Sequence, residues 1–227
     1  FEAGRVGNKL VLTRKGMGRF SLTAKGKAAH SGNDHGEGRN AVHAIALLVP
    51  RIEALTCYER NITVNVGTIQ GGSAVNTVPE QAVVHIDARF ATSQDCAHVV
   101  KALEDMCATG LSATDNGKLA DVKFELKTLA LRKPMEATHK SQTLLKAYAA
   151  CTEGLSLSTE EAPLQGGASD GNILSGLGVP SLDGLGPYGQ HYHRTEEWSS
   201  LASLRDRTKT LARVLMALMH CQQASNL

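Results

Sequence analysis

Arg19-Phe20-Ser21-Leu22-Thr23-Ala24 is the stretch that decides the fold, because polar and apolar side chains alternate along it without a break. Alternation with a period of two is typical of a strand that buries one face and exposes the other. The run ends at Gly26, and a glycine-rich loop follows over residues 30–38. The sequence therefore predicts a half-buried strand at the start of a domain.

Three further segments share this β-branched or alternating character, so strands are predicted over residues 19–24, 61–67, 81–90 and 122–129. A helix is predicted over residues 41–55, with Asn40 as its cap and Pro50 expected to kink or split it. A second helix is predicted over residues 94–108, with Ser93 as its cap. The resulting order, βαββαβ, is that of ferredoxin-like domains, in which helices cover one face of an antiparallel sheet.

We predict an α/β protein whose ferredoxin-like domain spans residues 16–130. Beyond Pro134 helical and strand-like segments alternate, as they do in α/β layers. The segments predicted outside the ferredoxin-like domain are helices over residues 141–151, 172–177 and 201–223 and short strands over 10–13 and 179–182, with leucines lining one side of the last helix. These strands are too few for a complete sheet. Residues 1–15 and 131–227 are therefore expected to be two pieces of a larger domain that begins before Phe1.

The composition is that of an ordinary globular protein, with a formal net charge of +2 over 227 residues. A charge this close to neutral gives no electrostatic case for nucleic acid as a partner. No apolar run approaches the ~20 residues that span a bilayer, so no membrane partner is expected. The five cysteines are scattered and form no C-x-x-C pair, which favours free thiols in a reducing, cytoplasmic compartment.

Residues 189–198 carry a high density of functional side chains, with imidazoles at His191 and His193, carboxylates at Glu196 and Glu197, and the single tryptophan. Neutral imidazole is the commonest metal ligand in proteins near pH 7, and a nearby carboxylate can fix its tautomer. The alternative is a solvated polar loop before a helix, because H-x-H matches are common by chance. The other motifs of the chain decide between the two.

Four motifs follow one another along the chain. They are Gly26-Lys27-Ala28-Ala29-His30-Ser31-Gly32, the segment from Gly71-Gly72-Ser73 to Pro79-Glu80 before the strand that ends in Asp87-Ala88-Arg89-Phe90, Gly166-Gly167-Ala168-Ser169-Asp170, and His193-Arg194-Thr195-Glu196-Glu197-Trp198. Their order and spacing resemble the di-zinc exopeptidase and deacylase family of glutamate carboxypeptidase, acetylornithine deacetylase and succinyl-diaminopimelate desuccinylase. The resemblance covers essentially the whole chain. It implies a catalytic α/β domain interrupted by a ferredoxin-like lid, which is also the dimerisation domain, so a homodimer is expected.

The resemblance also implies two metal ions, which are zinc in most members of the family. Glu2 matches the last acidic ligand, and His193 matches the late histidine ligand. Carboxylate oxygen and imidazole nitrogen suit zinc, and paired metals activate water and polarise the scissile carbonyl. The family's early histidine, bridging aspartate, other acidic ligand and glutamate base have no counterpart in the sequence. The chain is therefore expected to be a C-terminal portion of such an enzyme and to be inactive alone.

Three lid residues carry roles over from the resemblance. His30 matches the histidine that reaches the partner subunit's active site and stabilises the oxyanion, although it could instead cap the glycine loop. Asn76 and Arg89 match residues that contact substrate, with Arg89 as a fork for a carboxylate. For Arg89 the alternative is a surface arginine at the end of a strand.

In the closing segment, Gly166, Gly167 and Ser169 match a loop that presents its backbone to substrate, although glycine loops before helices are common. Glu197 matches the acidic residue after the late histidine, and a direct role is as open as a role beside a ligand or a structural role. Asn172 stands where desuccinylase-like members carry an arginine, which disfavours that substrate. His191 has no counterpart in the family and is expected to be a neighbour of His193 rather than a ligand.

The sequence thus predicts a zinc-dependent metallopeptidase that hydrolyses an amide bond next to a free carboxylate. The glutamate carboxypeptidase branch is favoured by the run Gly184-Leu185-Gly186-Pro187. An N-acyl amino acid deacylase of the same family is the second possibility, and a non-catalytic dimerisation module is the alternative from another class. A ferredoxin-like RNA binder is disfavoured, because the strands lack the aromatic pairs that stack bases.

Overall fold

The computed structural model describes residues 2–112 and 117–224 of the chain. The chain divides into two compact units. We call Gly16–Lys133 the lid unit, and we call the combination of Phe1–Lys15 and Pro134–Leu227 the closing unit.

The lid unit is built on an antiparallel sheet of four strands in the order β2-β3-β1-β4. The strands are β1 (Gly16–Lys25), β2 (Thr63–Gly71), β3 (Gln81–Phe90) and β4 (Lys123–Arg132). The helices are α1 (Ala41–Glu53), between β1 and β2, and α2 (Ser93–Thr109), between β3 and β4. The βαββαβ order confirms the ferredoxin-like fold predicted from the sequence.

A single apolar core joins one face of this sheet to both helices. Alternate residues of the central strands, among them Leu22 and Val84, are fully buried there against Ile45 of α1 and Leu103 of α2. Burying a side chain of this size contributes about 1.5–3 kcal/mol. The intervening residues of β1 and β3 lie on the opposite face, which neither helix covers and which we call the open face. The period-two alternation of the sequence therefore gives the sheet one apolar and one polar face.

The ends of the lid helices refine the sequence prediction. Asn40 caps α1 as expected, since its Oδ1 accepts a hydrogen bond from the His43 backbone N–H at 2.9 Å. The helix continues through Pro50 to Glu53, so the expected split does not occur. Pro50 lies in the last turn, where its fixed φ suits the helix and only one backbone hydrogen bond is lost.

The cap predicted for α2 was wrong by one residue. Thr92, and not Ser93, has the extended backbone of an N-cap, and its Oγ1 accepts from the Asp95 backbone N–H at 3.0 Å. Ser93 is already the first residue of the helix. Both residues carry a hydroxyl that can cap, so the side-chain type alone did not separate them.

Among its described residues, the closing unit has three α-helices and one small antiparallel pair. The elements are α3 (His139–Ala150), α4 (Gly171–Gly176), β5 (Gly189–Gln190), β6 (Trp198–Ser199) and α5 (Leu201–Ala224). The strands predicted over 10–13 and 179–182 do not form. Leu10 and Val11 are buried but make only single bridges, to Glu161 and Asp183, and Val179 is 47% exposed. Without a continuous partner strand, an apolar run is not enough to make a ladder.

The buried side of α5 is mostly polar, and the sequence prediction of an apolar side is right only in part. Of the apolar residues predicted to line one side, Val214 is buried in a small apolar cluster and Leu211 packs against that cluster, whereas Leu201 and Leu215 are 80% and 61% exposed. The buried positions lie on one side of the helix and are Ser203, the adjacent pair Asp206 and Arg207, Thr210 and Val214. Arg207 is tolerated there because it donates to the Tyr148 hydroxyl at 2.9 Å and to a backbone carbonyl at 2.7 Å. No helix in the described part of the chain is both long and apolar enough to cross a membrane.

Cys57, Cys96, Cys107 and Cys151 are free thiols, in line with the scattered positions of the cysteines in the sequence. Burial raises the pKa of the Cys107 thiol to about 11 and also raises the pKa of Cys96. A thiol with a raised pKa stays protonated at neutral pH and is a poor nucleophile. Neither cysteine is therefore a candidate for covalent catalysis.

Candidate functional site

In the lid unit, the loop that carries His30 is hydrogen-bonded to the loop that carries Asn76. His30 forms an antiparallel bridge with Thr77, and the Ser31 backbone N–H donates to the Asn76 carbonyl at 2.9 Å. His30 and Asn76 are both exposed. An open cleft of about 510 Å³ is lined by Ser31 and Thr77. The structure therefore brings together two of the three lid residues that the sequence singled out, at the edge of a cleft.

The ring of His30 has one nitrogen engaged by its own loop. Its Nδ1 accepts hydrogen bonds from the backbone N–H groups of Gly32 and Asn33, both at 3.1 Å. A nitrogen that accepts carries no proton, so the proton of the neutral ring is on Nε2. His30 thus caps the glycine loop, as the structural alternative required, and it also presents a fixed N–H donor on its exposed side.

The third lid residue, Arg89, lies on the open face of β3, where it pairs with Met17 of β1 and Thr63 of β2. Its Nε and Nη2 donate to the two carboxylate oxygens of Asp87 at 2.8 and 3.1 Å. Arg19 approaches the same carboxylate from β1, with 3.5 Å between its Nε and Asp87 Oδ2. One edge of the Arg89 guanidinium is therefore occupied by a residue that sequence reasoning did not consider.

In the closing unit, the most connected side chain is Asp183, which sequence reasoning missed. It is 7% exposed, and its Oδ2 accepts from Arg14 Nε at 2.8 Å and from Ser169 Oγ at 2.7 Å. Its Oδ1 accepts from the backbone N–H groups of Gly184 at 2.8 Å and Glu2 at 3.2 Å. This carboxylate thus joins two residues that the sequence singled out, Glu2 and Ser169.

A signal for this cluster was present in the sequence. Arg14 stands two residues after the apolar run Leu10-Val11-Leu12, and like that run it is buried, with 2% of its surface exposed. A charged residue in such a run needs a buried partner of opposite charge. The partner lies 169 positions away, so the spacing alone could not identify it.

The loop of residues 166–169 is held in place by this buried pair of Arg14 and Asp183. Arg14 Nη1 donates to the Gly167 carbonyl at 3.0 Å, and the Ser169 backbone N–H donates to Asn172 Oδ1 at 2.8 Å. Asn172 is fully buried and donates to the Lys15 carbonyl at 3.2 Å, so it has a structural role. Gly166 and Gly167 are exposed, and a Cβ added at either would meet nothing within 4 Å. The loop therefore has one anchored side and one open side.

The hydrogen bonds to Asp183 have a consequence for its ionisation. Burial alone would raise the pKa of the Asp183 carboxyl, but the hydrogen bonds from Ser169 and Gly184 and the charge of Arg14 outweigh it and hold the pKa below its ordinary value of 3.8. The ionised carboxylate therefore contributes stability that is fully present above pH 3.8. This contribution is lost as the pH falls below 3.8 through the lowered pKa of the folded state.

We expect Asp183→Ala to destabilise the closing unit by roughly 3–5 kcal/mol, because it leaves Arg14 buried without its counter-ion. Chemical denaturation followed by circular dichroism at pH 7 and at pH 3 measures the effect. The difference between variant and parent should shrink at pH 3. Asp170→Ala is the matched control, since it removes an exposed carboxylate next to Ser169. Equal losses for the two variants would contradict a stabilising role for the buried pair.

The loop that carries His193 is anchored by Tyr192. The Tyr192 hydroxyl lies 2.7 Å from the Gly189 carbonyl and 3.1 Å from the carbonyl of Gly4, two residues after Glu2. Both neighbours of Tyr192 have left-handed backbone, with φ of 62° at His191 and 64° at His193. The segments that contain Glu2 and His193 are thus hydrogen-bonded to each other, and both side chains are exposed.

Glu197 touches His193 through the backbone. Its Oε2 accepts from the His193 N–H at 3.2 Å, which stabilises the turn between β5 and β6. This contact is structural, which is one of the roles that the sequence left open for Glu197 beside a direct one. It fixes the loop without using the His193 imidazole.

The described residues do not by themselves form a metal-binding group. Within residues 2–112 and 117–224, no three histidine, cysteine, aspartate or glutamate side chains are arranged to hold a metal ion. Glu2 and His193 supply donor atoms of the type that zinc prefers, but a zinc site requires at least three protein ligands. A metal centre would therefore need further residues.

Comparison with known proteins identifies the lid unit. Residues 12–115 match a family model described as the peptidase dimerisation domain. Carboxypeptidase G2 of Pseudomonas sp. (strain RS-16) is 27% identical over 222 residues, which cover 96% of this chain and 51% of that protein. A probable carboxypeptidase of Ajellomyces dermatitidis is 35% identical over 130 residues, covering 51% of this chain and 29% of that protein.

Solved structures share the fold of both units. A tripeptidase from Staphylococcus aureus aligns with a TM-score of 0.70 and 23% identity, covering 94% of this chain and 53% of that one. Aminopeptidase PepT from Bacillus cereus aligns with a TM-score of 0.72 and 19% identity, covering 94% and 54%. At these identities the likeness shows the fold alone. The chain spans about half the length of carboxypeptidase G2 and of these solved structures.

Proposed function

We propose a function from the premise that this chain carries the peptidase dimerisation domain of the M20 peptidases and is a homologue of carboxypeptidase G2. The relatives that it matches are named as peptidases, and we therefore propose that the intact protein is a hydrolase of this class. In our proposal it is a metal-dependent carboxypeptidase that hydrolyses the amide bond next to a free carboxylate.

The similarity to carboxypeptidase G2 over 96% of the chain carries this proposal. The geometry of the lid unit supports it. His30 presents an Nε2–H donor of the kind that stabilises a developing oxyanion, and Arg89 provides a guanidinium for a substrate carboxylate. Asn76 lies in the loop bonded to that of His30, where it can contact the same substrate.

The proposed metal is zinc, with two ions in the intact enzyme. M20 peptidases are generally metal-dependent, and Glu2 and His193 are the residues of this chain proposed as ligands. The remaining ligands are proposed to lie in the part of the relatives' length that this chain does not cover. The chain alone is accordingly proposed to be inactive.

The proposed assembly is a homodimer through the lid unit, as the name of the matching domain suggests. In this assembly His30 acts in the active site of the partner subunit. Gly166 and Gly167 are proposed to line the substrate site of their own subunit, since they lie on the open side of the loop. Ser169, which the sequence grouped with them, is 4% exposed and bonded to Asp183, so its proposed part is to hold this loop in place.

We expect the intact protein to hydrolyse N-acyl glutamates and to lose this activity when its metal is removed by a chelator, because the metal activates the attacking water. The assay compares native, chelated and zinc-reconstituted protein. Recovery with zinc is the expected outcome. Full hydrolysis by protein shown to be metal-free would contradict the proposal, and faster hydrolysis of N-acetylated neutral amino acids would favour the deacylase alternative.

A further inference from the structure

Asp87 and Arg89 are two residues apart on β3, so both side chains stand on the open face of the sheet. The Asp87 carboxylate and the Arg89 guanidinium are joined by two hydrogen bonds, at 2.8 and 3.1 Å. Their side chains are 35% and 29% exposed, which is half-buried for charged groups. The pair is therefore ordered by its own geometry and remains accessible to a ligand.

A guanidinium has two edges that can meet a carboxylate in bidentate geometry. One is formed by Nε and Nη2, and the other by Nη1 and Nη2. Asp87 occupies the first edge, because its oxygens accept from Nε and Nη2 of Arg89. Within the described residues no hydrogen bond or ion pair involves Nη1, so the second edge is available to a planar anion.

We propose that Asp87 is a positioning residue that fixes the Arg89 guanidinium so that its Nη1–Nη2 edge receives the carboxylate of the substrate. This inference rests on the proposed function, in which Arg89 binds that carboxylate. It adds which edge of the Arg89 guanidinium binds the substrate carboxylate and that Asp87 orients this edge. It also gives a reason why a carboxylate is preferred over a carboxamide.

Charge on the open face is compatible with an incoming anion. Arg19 is the cross-strand partner of Asp87 and lies 3.5 Å from its Oδ2. The Asp87 carboxylate is thus shared between two guanidinium groups, and the local cluster keeps a net positive charge. Arg19 therefore offsets the negative charge of Asp87, and the main effect of Asp87 on Arg89 is to hold the guanidinium plane in one orientation.

A fixed orientation favours a carboxylate over an amide of the same shape. The free edge presents two parallel N–H donors, which match the two acceptor oxygens of a carboxylate. A carboxamide offers one acceptor oxygen and places an NH₂ donor opposite the other N–H, so one hydrogen bond is lost and two donors face each other. An arginine that is free to rotate can avoid this mismatch, so without Asp87 the discrimination should weaken.

The test is made in the intact protein with a carboxylate-bearing substrate and its carboxamide. Asp87→Asn should raise KM for the carboxylate substrate about tenfold, with kcat nearly unchanged and a smaller change for the carboxamide. Glu125→Gln is the matched control, because it removes the exposed Lys25–Glu125 ion pair elsewhere on the same sheet and should leave both KM values unchanged. The melting temperature of every variant is measured to separate binding from folding.

Arg89→Lys separates the inference from the proposed function. Lysine keeps the charge but has no bidentate edge, so it should lose discrimination, and adding Asp87→Asn should then have no further effect. If Arg89→Lys weakens both substrates equally, Arg89 is not the carboxylate site and the proposed function fails at this residue. If Arg89→Lys loses discrimination while Asp87→Asn retains it, only the positioning role of Asp87 is overturned.

Discussion

His193→Ala in the intact protein should lose its bound metal and lower kcat/KM by at least about a hundredfold, the upper range seen when only the support of a metal ligand is removed. His193 is the proposed late metal ligand, and without it the water that attacks the scissile carbonyl is no longer activated. Elemental analysis of the purified variant measures the metal directly, alongside the rate on an N-acyl glutamate.

His191→Ala is the matched control for this change. His191 and His193 are both exposed, both have left-handed backbone and both flank Tyr192, so an alanine strains the loop equally at either position. Only His193 is a proposed ligand. Full metal occupancy in His193→Ala, or equal metal loss in the two variants, would contradict the assignment.

His30→Ala should lower kcat by about 10²–10³-fold with little change in KM, because an oxyanion donor acts mainly in the transition state. The variant should keep its metal and its dimer, since the hydrogen bonds of the His30 imidazole go to the backbone of the loop that it caps. Steady-state kinetics and size-exclusion chromatography measure these properties. His35→Ala, an exposed histidine in the same loop, serves as the control and should keep its kcat.

The dimer makes a sharper version of this experiment possible. If His30 acts in the partner subunit's site, a heterodimer of His30→Ala and His193→Ala has one site with an intact metal ligand and an intact donor. Mixing and refolding the two inactive variants should therefore restore part of the activity. Confirmed heterodimers without any recovered activity would rule out action across the dimer.

The lid unit could be predicted from the sequence because its signal is local. Alternation in the stretches 19–24 and 81–90 corresponds to the buried and exposed faces of β1 and β3. The motif that contains His30 directly follows β1, as its position in the sequence predicted. Long-range information is needed only to pair the strands.

The closing unit was harder to predict because its contacts join distant parts of the chain. Arg14 and Asp183 are separated by 169 positions, so the buried partner that Arg14 requires could not be identified from the sequence. The leucines of α5 suggested a buried apolar side, whereas Arg207 and its hydrogen bonds determine which side is buried. Asp87 was missed for a different reason, since a carboxylate on an alternating strand is usually a solvated surface group.

The left-handed backbone on either side of Tyr192 restricts how this loop can vary over evolutionary time. At a φ near +60°, glycine is unstrained, asparagine, aspartate and histidine are tolerated, and β-branched residues are strongly disfavoured. Position 191 can therefore hold any residue of this small group, because the backbone φ restricts it and no chemical role of the imidazole does. The backbone allows the same group of residues at position 193, but the proposed role as a metal ligand restricts this position to histidine. A substitution at 191 and one at 193 would thus be removed by two different kinds of selection, one for the shape of the chain and one for the ion.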